Sequence, residues 1–367
     1  MRVLPAVYAG CDLNNGSSVY MNSCSCVLKR PTHRERNSYN DPILKWIYAV
    51  VGVLAASLVM VGAAPIDGVT LFEKGNYSEA RKVLSAAVAA APDDVRSQFY
   101  LGRTYLALEE AALALPHLER AVGLAPGNAV YHFWLGVNYW ALLDLDRELA
   151  EYDRALAIDP NLLPAHVYAG HNQLDRGQWQ AALEHYLAVL QVLPEHPEAL
   201  YNAGVALQEL GRQEEALAVW HRFLQHHQSD ALAVGAARNL NAAGDFRYRA
   251  FPVGPRFVVG PSPGFQGDTL AIDPQLTEAL DNIGRSLESL DPLTLHIITF
   301  AKDNDELAMQ RAKAVKRLVI KNFPDIPPAS VRLSWFDQAE TIRIADHTYQ
   351  LKASINLFTA KTSEAGQ

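Results

Sequence analysis

The stretch DNDELAMQRAKAVKRL, residues 303–318, places Arg311 inside a helix-patterned segment with an acidic start and a basic end. Asp303, Asp305 and Glu306 stand against Lys313, Lys316 and Arg317, an order that suits the helix dipole and makes a solvated basic face. Arg311 is either one more cation of that face or a residue kept to hold something. Seven histidines between His166 and His227 raise a second chemical question, that of a metal. His166 and His171 are five apart and do not share a helix face, and no HExxH pairing accompanies them. His226 and His227 close a helix, where an imidazolium is favoured by the dipole. Cys11, Cys24 and Cys26 all lie in the first 26 residues, so no disulfide framework supports the rest of the chain, and the CxC pair has no ligand cluster near it. The expected metal complement is none.

Nothing in the chain reads as a phosphate loop, a nucleophile elbow or a histidine–carboxylate constellation. A non-enzyme without cofactor is therefore expected. The 367 residues leave room for two or three domains with real cores, and the formal charge of −8 is unevenly placed. Residues 65–246 carry twelve basic and twenty-three acidic groups, hence −11, whereas 247–367 hold fourteen of each. This balance gives no nucleic-acid surface.

Residues 46–64, WIYAVVGVLAASLVMVGAA, form an uncharged apolar run long enough to cross a bilayer as a helix. Lys29, Arg30, Arg34, Arg36 and Lys45 precede it, so residues 1–45 are expected on the cytoplasmic side as a tail and the bulk outside. The run reads as an uncleaved signal-anchor; cleavage after Ala63 is the alternative, leaving a soluble periplasmic chain. Met21 is an alternative start.

The glycines of YLGRTY, FWLGVNYW, VYAGHNQL and YNAGVALQ are Gly102, Gly136, Gly170 and Gly204, each 34 residues after the last, and one step back lands on Gly68. Twelve residues beyond each stands Ala80, Ala114, Glu148, Ala182 or Ala216, and twelve beyond those Pro92, Pro126, Pro160 and Pro194. Small residues let paired helices approach, and proline ends the second helix of each pair. Leu84, Leu118, Tyr152, Tyr186 and Trp220 share one slot of the second helix. A fixed period of this size marks a helical repeat array. The array resembles the tetratricopeptide repeat family over roughly 170 residues, about five copies within 65–246. ALAVGAARNLNAAG, residues 231–244, reads as the closing helix such stacks need.

That resemblance implies a superhelix of helical hairpins with a groove lined by the first helix of each pair. Counting along those helices assigns Arg96, Phe99 and Arg103, then Phe133, Val137 and Trp140, then His171, then Tyr201 to a partner-binding groove. The surface is mostly apolar and aromatic and lacks the lysine and asparagine set with which some members clamp a C-terminal carboxylate. It suits an amphipathic helix or an extended apolar peptide.

Residues 247–267 alternate proline, glycine and aromatics and read as a spacer. Residues 268–359 follow the order helix, strand, helix, strands: DPQLTEALDNIGRSLESL, TLHIITF, the Arg311 helix, then VRLSWF, ETIRIA and YQLKASINLF. This makes a small α+β sandwich with helices on one face, and 360–367 a tail. The run Leu307 to Leu318, with Asn304 seven before Arg311, resembles the signature of the OmpA-like peptidoglycan-binding domain. In that family the arginine at the Arg311 position binds the carboxylate of diaminopimelate, a task for a planar bidentate donor, and Asp303 is the nearest counterpart of its aspartate partner. The resemblance implies peptidoglycan contact through Asn304, Arg311 and Asp303.

The chain as a whole is expected to be mainly α: a single membrane helix, a tetratricopeptide superhelix and a small α+β domain. The expected work is that of a scaffold anchored in a bacterial inner membrane that binds partner proteins through the groove and docks through its last domain. The alternative is a tether between membrane and cell wall.

Overall fold

The computed structural model describes residues 67–228, 231–262, 264–289 and 293–361, in two compact units that divide between Leu162 and Leu163. The apolar run 46–64 lies outside the described residues. Among those described, no helix is long and apolar enough to cross a membrane.

Among the described residues the first unit holds six helices: α1 (Gly68–Glu73), α2 (Tyr77–Ala90), α3 (Val95–Ala107), α4 (Ala111–Leu124), α5 (Ala129–Ala141) and α6 (Leu145–Ile158). They pair as hairpins, and each helix starts and stops for local reasons. Asp94 caps α3 by accepting from Ser97 N at 3.0 Å, and Asp67, Asn128 and Asp144 do the same for their helices. Pro92 and Pro126 follow α2 and α4 by two residues and forbid their continuation.

The hairpins close because one position is small. The alanines of the repeat slot, Ala80 and Ala114, are fully buried, and Glu148 fills the same slot in the third copy at 1% exposure. The turn between the two helices passes through a left-handed residue in every copy: Gly75, Glu109, Leu143, Gly177 and Gly211, again 34 apart, all with φ between 61° and 75°.

The second unit continues the pattern with α7 (Leu163–Asp175), α8 (Trp179–Val192), α9 (Pro197–Glu209), α10 (Gln213–His226) and α11 (Ala231–Ala242). It then changes character. Strands β1 (Tyr248–Val253) and β2 (Arg256–Pro261) form an antiparallel hairpin, followed by α12 (Pro274–Ser289), β3 (Leu293–Ala301) and α13 (Asp305–Asn322). Strands β4 (Val331–Phe336), β5 (Glu340–Ile344), β6 (His347–Leu351) and β7 (Ala353–Lys361) complete it. Strand β3 lies between β4, which is parallel to it, and β7, which is antiparallel; β5 and β6 pair separately. Helix α13 is the crossover between parallel β3 and β4.

The core of this α+β part joins Leu276, Leu280 and Ile283 of α12 with Ala312, Val315 and Val319 of α13, Leu295 and Ile297 of β3, Val331 of β4, and Ile355 and Leu357 of β7. Both helices thus cover one face of the sheet.

Two expectations change here. Residues 247–267 are not a spacer: they hold the β1–β2 hairpin, whose Phe251, Val253 and Val258 belong to the same core. Two six-residue strands around a Val-Gly-Pro turn, with Pro252 inside the first, hide their alternation behind a linker-like composition. The stretch 349–358 is not one strand either. It breaks at Lys352, so that Tyr349 pairs with Ile342 while Ile355 pairs with Thr299.

The repeat faces and the Arg311 site

In the first unit the residues assigned to the groove fall into two sets. Arg96 is exposed and meets Asp67 at 3.7 Å, an ion pair open to solvent that adds little stability. Trp140 is half-buried. The others are packing. Phe133 is 1% exposed, with its ring centroid 5.5 Å from that of Trp134 and 5.9 Å from that of Tyr152, and Val137 is 7% exposed. Phe99 is buried, its centroid 5.4 Å from Tyr100 and 4.5 Å from Tyr131.

Arg103 is buried among rings rather than presented to a partner. Its guanidinium carbon lies 4.2 Å from the Trp134 ring centroid, 4.6 Å from that of Phe72, and 5.5 Å from those of Phe99 and Tyr100. Aromatic faces are negative and attract a cation that has left bulk water. One side chain therefore joins α1, α3 and α5, the first helices of three successive hairpins. The aromatic surface that remains accessible comes instead from Tyr100, Tyr131 and Trp140. Neither tyrosine was assigned from helix counting, yet both sit beside Phe99.

In the second unit His171 and Tyr201 are half-buried. The His171 ring lies 6.0 Å from Tyr168 and 5.8 Å from Tyr186, and burial pushes its pKa down to about 4. The neutral ring accepts from Asn202 Nδ2 through Nε2 at 3.1 Å. Tyr201 packs on Phe223, and its carbonyl accepts from Trp220 Nε1 at 3.2 Å.

Two of the seven histidines, His166 and His185, with His117 and His132 earlier in the chain, follow the repeat. Gln98 and His117 meet at 2.8 Å, His132 and Glu151 at 2.6 Å, and His166 and His185 at 3.0 Å. In each case the partners are 19 residues apart and one repeat separates successive pairs, so polar side chains fill one buried position between the two helices. Gln98 also donates to the Pro92 carbonyl, and His132 meets the Pro126 carbonyl, so the position fastens the preceding turn. Among the described residues no three histidine, cysteine or carboxylate side chains converge as metal ligands.

The α+β part is tied to α10 by a hydrogen bond. Asp245 bonds His221 Nε2 at 2.7 Å and Arg247 Nη2 at 2.6 Å. Burial alone would raise the Asp245 carboxyl, but the bonds from Arg247 and His221 outweigh it and hold it well below the usual range.

Arg311 is 2% exposed and is no part of a basic face. Its Nε donates to the Thr269 carbonyl at 3.2 Å, its Nη2 to the Gly267 carbonyl at 2.5 Å, and its guanidinium lies 4.9 Å from the Phe265 ring centroid. Nη1 is buried without a partner. Burial draws its pKa down, opposed by Asp268. The loop that holds it is closed by the Phe265–Ile272 bridge and by Gln266 N donating to the Ala271 carbonyl at 2.9 Å.

Asn304 and Asp303 serve the start of α13. Asn304 is its N-cap, accepting from Leu307 N at 2.9 Å. Asp303 is exposed at φ 60°, and its N–H donates to the Asp337 carbonyl at 2.7 Å. The three residues of the assigned peptidoglycan site thus have separate local roles, and the hydrogen bonds of Arg311 go to a loop that precedes α12.

Comparison with known proteins agrees with the helical half. Residues 68–129, 113–162 and 198–229 match models described as tetratricopeptide repeat, and 170–211 match one described as TPR repeat. The hairpins are tetratricopeptide repeats. Among curated proteins none matches the chain.

A crystal structure of MamA is 22% identical, with a TM-score of 0.41 over 43% of this chain and 92% of that one. YrrB, described as a TPR protein with an unusual peptide-binding site, is 22% identical, with a TM-score of 0.43 over 47% of this chain and 88% of its own. MamA from Desulfovibrio magneticus RS-1, residue 41 to the end, is 25% identical, with a TM-score of 0.34 over 35% and 72%.

Proposed function

We propose that this chain is a protein–protein interaction scaffold whose tetratricopeptide hairpins hold a partner against the first helices, anchored to a bacterial inner membrane by residues 46–64. The observation that carries the scaffold reading is the repeat itself: five turns in one left-handed register and a buried polar pair at one position of three copies. Such an array presents successive first helices as a ready-made surface. In the first unit the accessible side chains of that surface are Tyr100, Tyr131 and Trp140, with Arg96 at the margin. Aromatics with a polar tip give large contact area at small entropic cost, and a partner with an apolar face suits them.

The test is capture by the chain from residue 65 onward, compared with a Tyr100→Ala, Tyr131→Ala, Trp140→Ala variant. Loss of the same captured proteins at unchanged thermal unfolding supports the reading; unchanged capture ends it. Phe133 is unsuitable as a probe, because truncating a buried ring disturbs the fold itself. Anchoring rests on the apolar run and its basic flank. Extraction of the chain from membranes by alkaline carbonate, or a mature mass that lacks residues 1–63, would instead favour a soluble periplasmic protein.

A second reading makes the last domain a peptidoglycan ligand and the chain a tether to the wall. It is favoured by the buried Nη1 of Arg311, a donor still without an acceptor, next to two donors that already hold carbonyls. Co-sedimentation of the chain from residue 65 with isolated peptidoglycan, competed by soluble stem peptide, tests it without disturbing Arg311. Pelleting that the peptide abolishes supports the tether; no pelleting leaves the scaffold reading alone.

A further inference from the structure

Among the described residues, strand β4, VRLSWF, is hydrogen-bonded to β3 on one side only and ends the sheet order β4–β3–β7. Four of its six residues are exposed, Arg332, Ser334, Trp335 and Phe336, the last two at 36% and 40%. Edges of this kind are usually blunted by lysine, proline or a bulge, because unpaired backbone groups template another strand. Here Lys316 Nζ donates to the Val331 carbonyl at 2.8 Å at the first residue of the strand, and beyond it β4 carries one charge and two large aromatics, with Phe336 continuing inward by stacking on Phe300 at 5.1 Å and 22°. A neighbouring stack on the same face, His296 on Phe358 at 4.7 Å and 2°, extends the aromatic character across the sheet.

The order of side chains along β4 says what pairs with it. An antiparallel strand related by a twofold axis through Ser334 sets Arg332 opposite the second copy's Phe336 on the open face. On the helix-covered face it sets Leu333 opposite the second copy's Trp335. The first pairing is a cation over an aromatic ring and the second an apolar cross-strand pair. The two Arg332 charges end about 14 Å apart, four residues of strand rise plus one strand spacing, so the like charges do not oppose. The strand is complementary to itself in this register, and a continuous six-stranded sheet results.

We propose that β4 is the pairing edge of a homodimer of this chain, centred on Ser334. The proposal is independent of what the repeats bind. It is tested on the full chain in detergent with Cys11, Cys24 and Cys26 changed to serine. Ser334→Cys is expected to give a covalent dimer under mild oxidation, and Thr341→Cys, on exposed β5, is expected to give none. Trp335→Lys with Phe336→Lys is expected to raise the dimer dissociation constant in sedimentation by roughly tenfold or more, with the far-ultraviolet dichroism unchanged. A monomer at all concentrations without the Ser334→Cys cross-link overturns the proposal. So does a dimer indifferent to the two lysines, or an edge that takes a foreign peptide strand in preference to a second copy.

Discussion

Gly170 and Tyr186 lie so close that a methyl group on the glycine would stand 2.8 Å from two carbons of the tyrosine ring. The same relationship, sixteen residues apart, joins Gly68 to Leu84, Gly102 to Leu118, Gly136 to Tyr152 and Gly204 to Trp220. The repeat is therefore a rule about volume: one position has no side chain so that the large residue of the facing helix can lie against backbone. Tyr186 and Trp220 are fully buried by it.

Gly170→Ala should then destabilise the fold by about 1–3 kcal/mol, the usual cost of overpacking a close contact. The gain of about 1 kcal/mol in helix propensity does not offset this. Gly123 has nothing within 4 Å of its would-be Cβ. Gly123→Ala should stabilise by roughly 0.5–1 kcal/mol. Urea unfolding of both variants reads the difference in sign; equal effects would mean that the close approach is unimportant.

Leu143 and Glu109 occupy turn positions at φ 61° and 62° where Gly75, Gly177 and Gly211 stand in the other copies. A side chain in the left-handed region costs on the order of 1 kcal/mol, less what glycine loses in entropy. Leu143 is moreover 68% exposed, so little packing is lost with it. Leu143→Gly and Glu109→Gly should each raise stability by about 0.5 kcal/mol, and Gly177→Ala should lower it by about 1 kcal/mol. Thermal unfolding that moves the other way would show that these turns hold their conformation through side-chain contacts.

The repeat was legible because its rule is local and recurs: Gly102 to Leu118 is a spacing, and spacings are visible in a sequence. Which face of a first helix stays open was not. Phe99 and Phe133 point as the helix count expects, but the neighbouring hairpin elements bury that direction, and Arg103 follows them into the core by exchanging water for four rings. Arg311 was visible as a residue in question; its acceptors were not, since Gly267 and Thr269 lie more than forty residues upstream and offer only backbone carbonyls. No side-chain pattern announces a carbonyl. The β1–β2 hairpin escaped for a related reason, its strands being six residues each with Pro252 among them.

The half-buried His171 and His185 predict how stability depends on pH. Burial pushes both His171 and His185 from 6.5 down to about 4, the latter with help from the neighbouring His166. A histidine whose folded pKa is depressed is charged first in the unfolded chain, so protons favour unfolding. Stability is therefore full above about pH 6.5 and is lost progressively as pH falls towards 4. The two sites together contribute on the order of a few kcal/mol. Urea midpoints measured at pH 7 and 5 should fall accordingly, and the fall should shrink in His185→Gln. An unchanged slope in that variant would locate the acid sensitivity elsewhere.

Arg311 predicts the cost of removing a guanidinium that holds a loop. Arg311→Ala would leave the Gly267 and Thr269 carbonyls without their donors, remove a cation from the Phe265 face and open a cavity beneath the loop. A loss of about 2–4 kcal/mol is expected. Arg311→Met, which keeps the volume and also removes an orphaned Nη1, should recover part of it. The loop should open before the rest, so hydrogen exchange at the Gln266 amide, whose N–H closes it by donating to the Ala271 carbonyl, is expected to accelerate ahead of global unfolding. If both variants keep the parental stability and protection, Arg311 does not fasten the loop. If both lose them, wall-binding assays that rely on Arg311→Ala would report unfolding of the loop rather than loss of a contact.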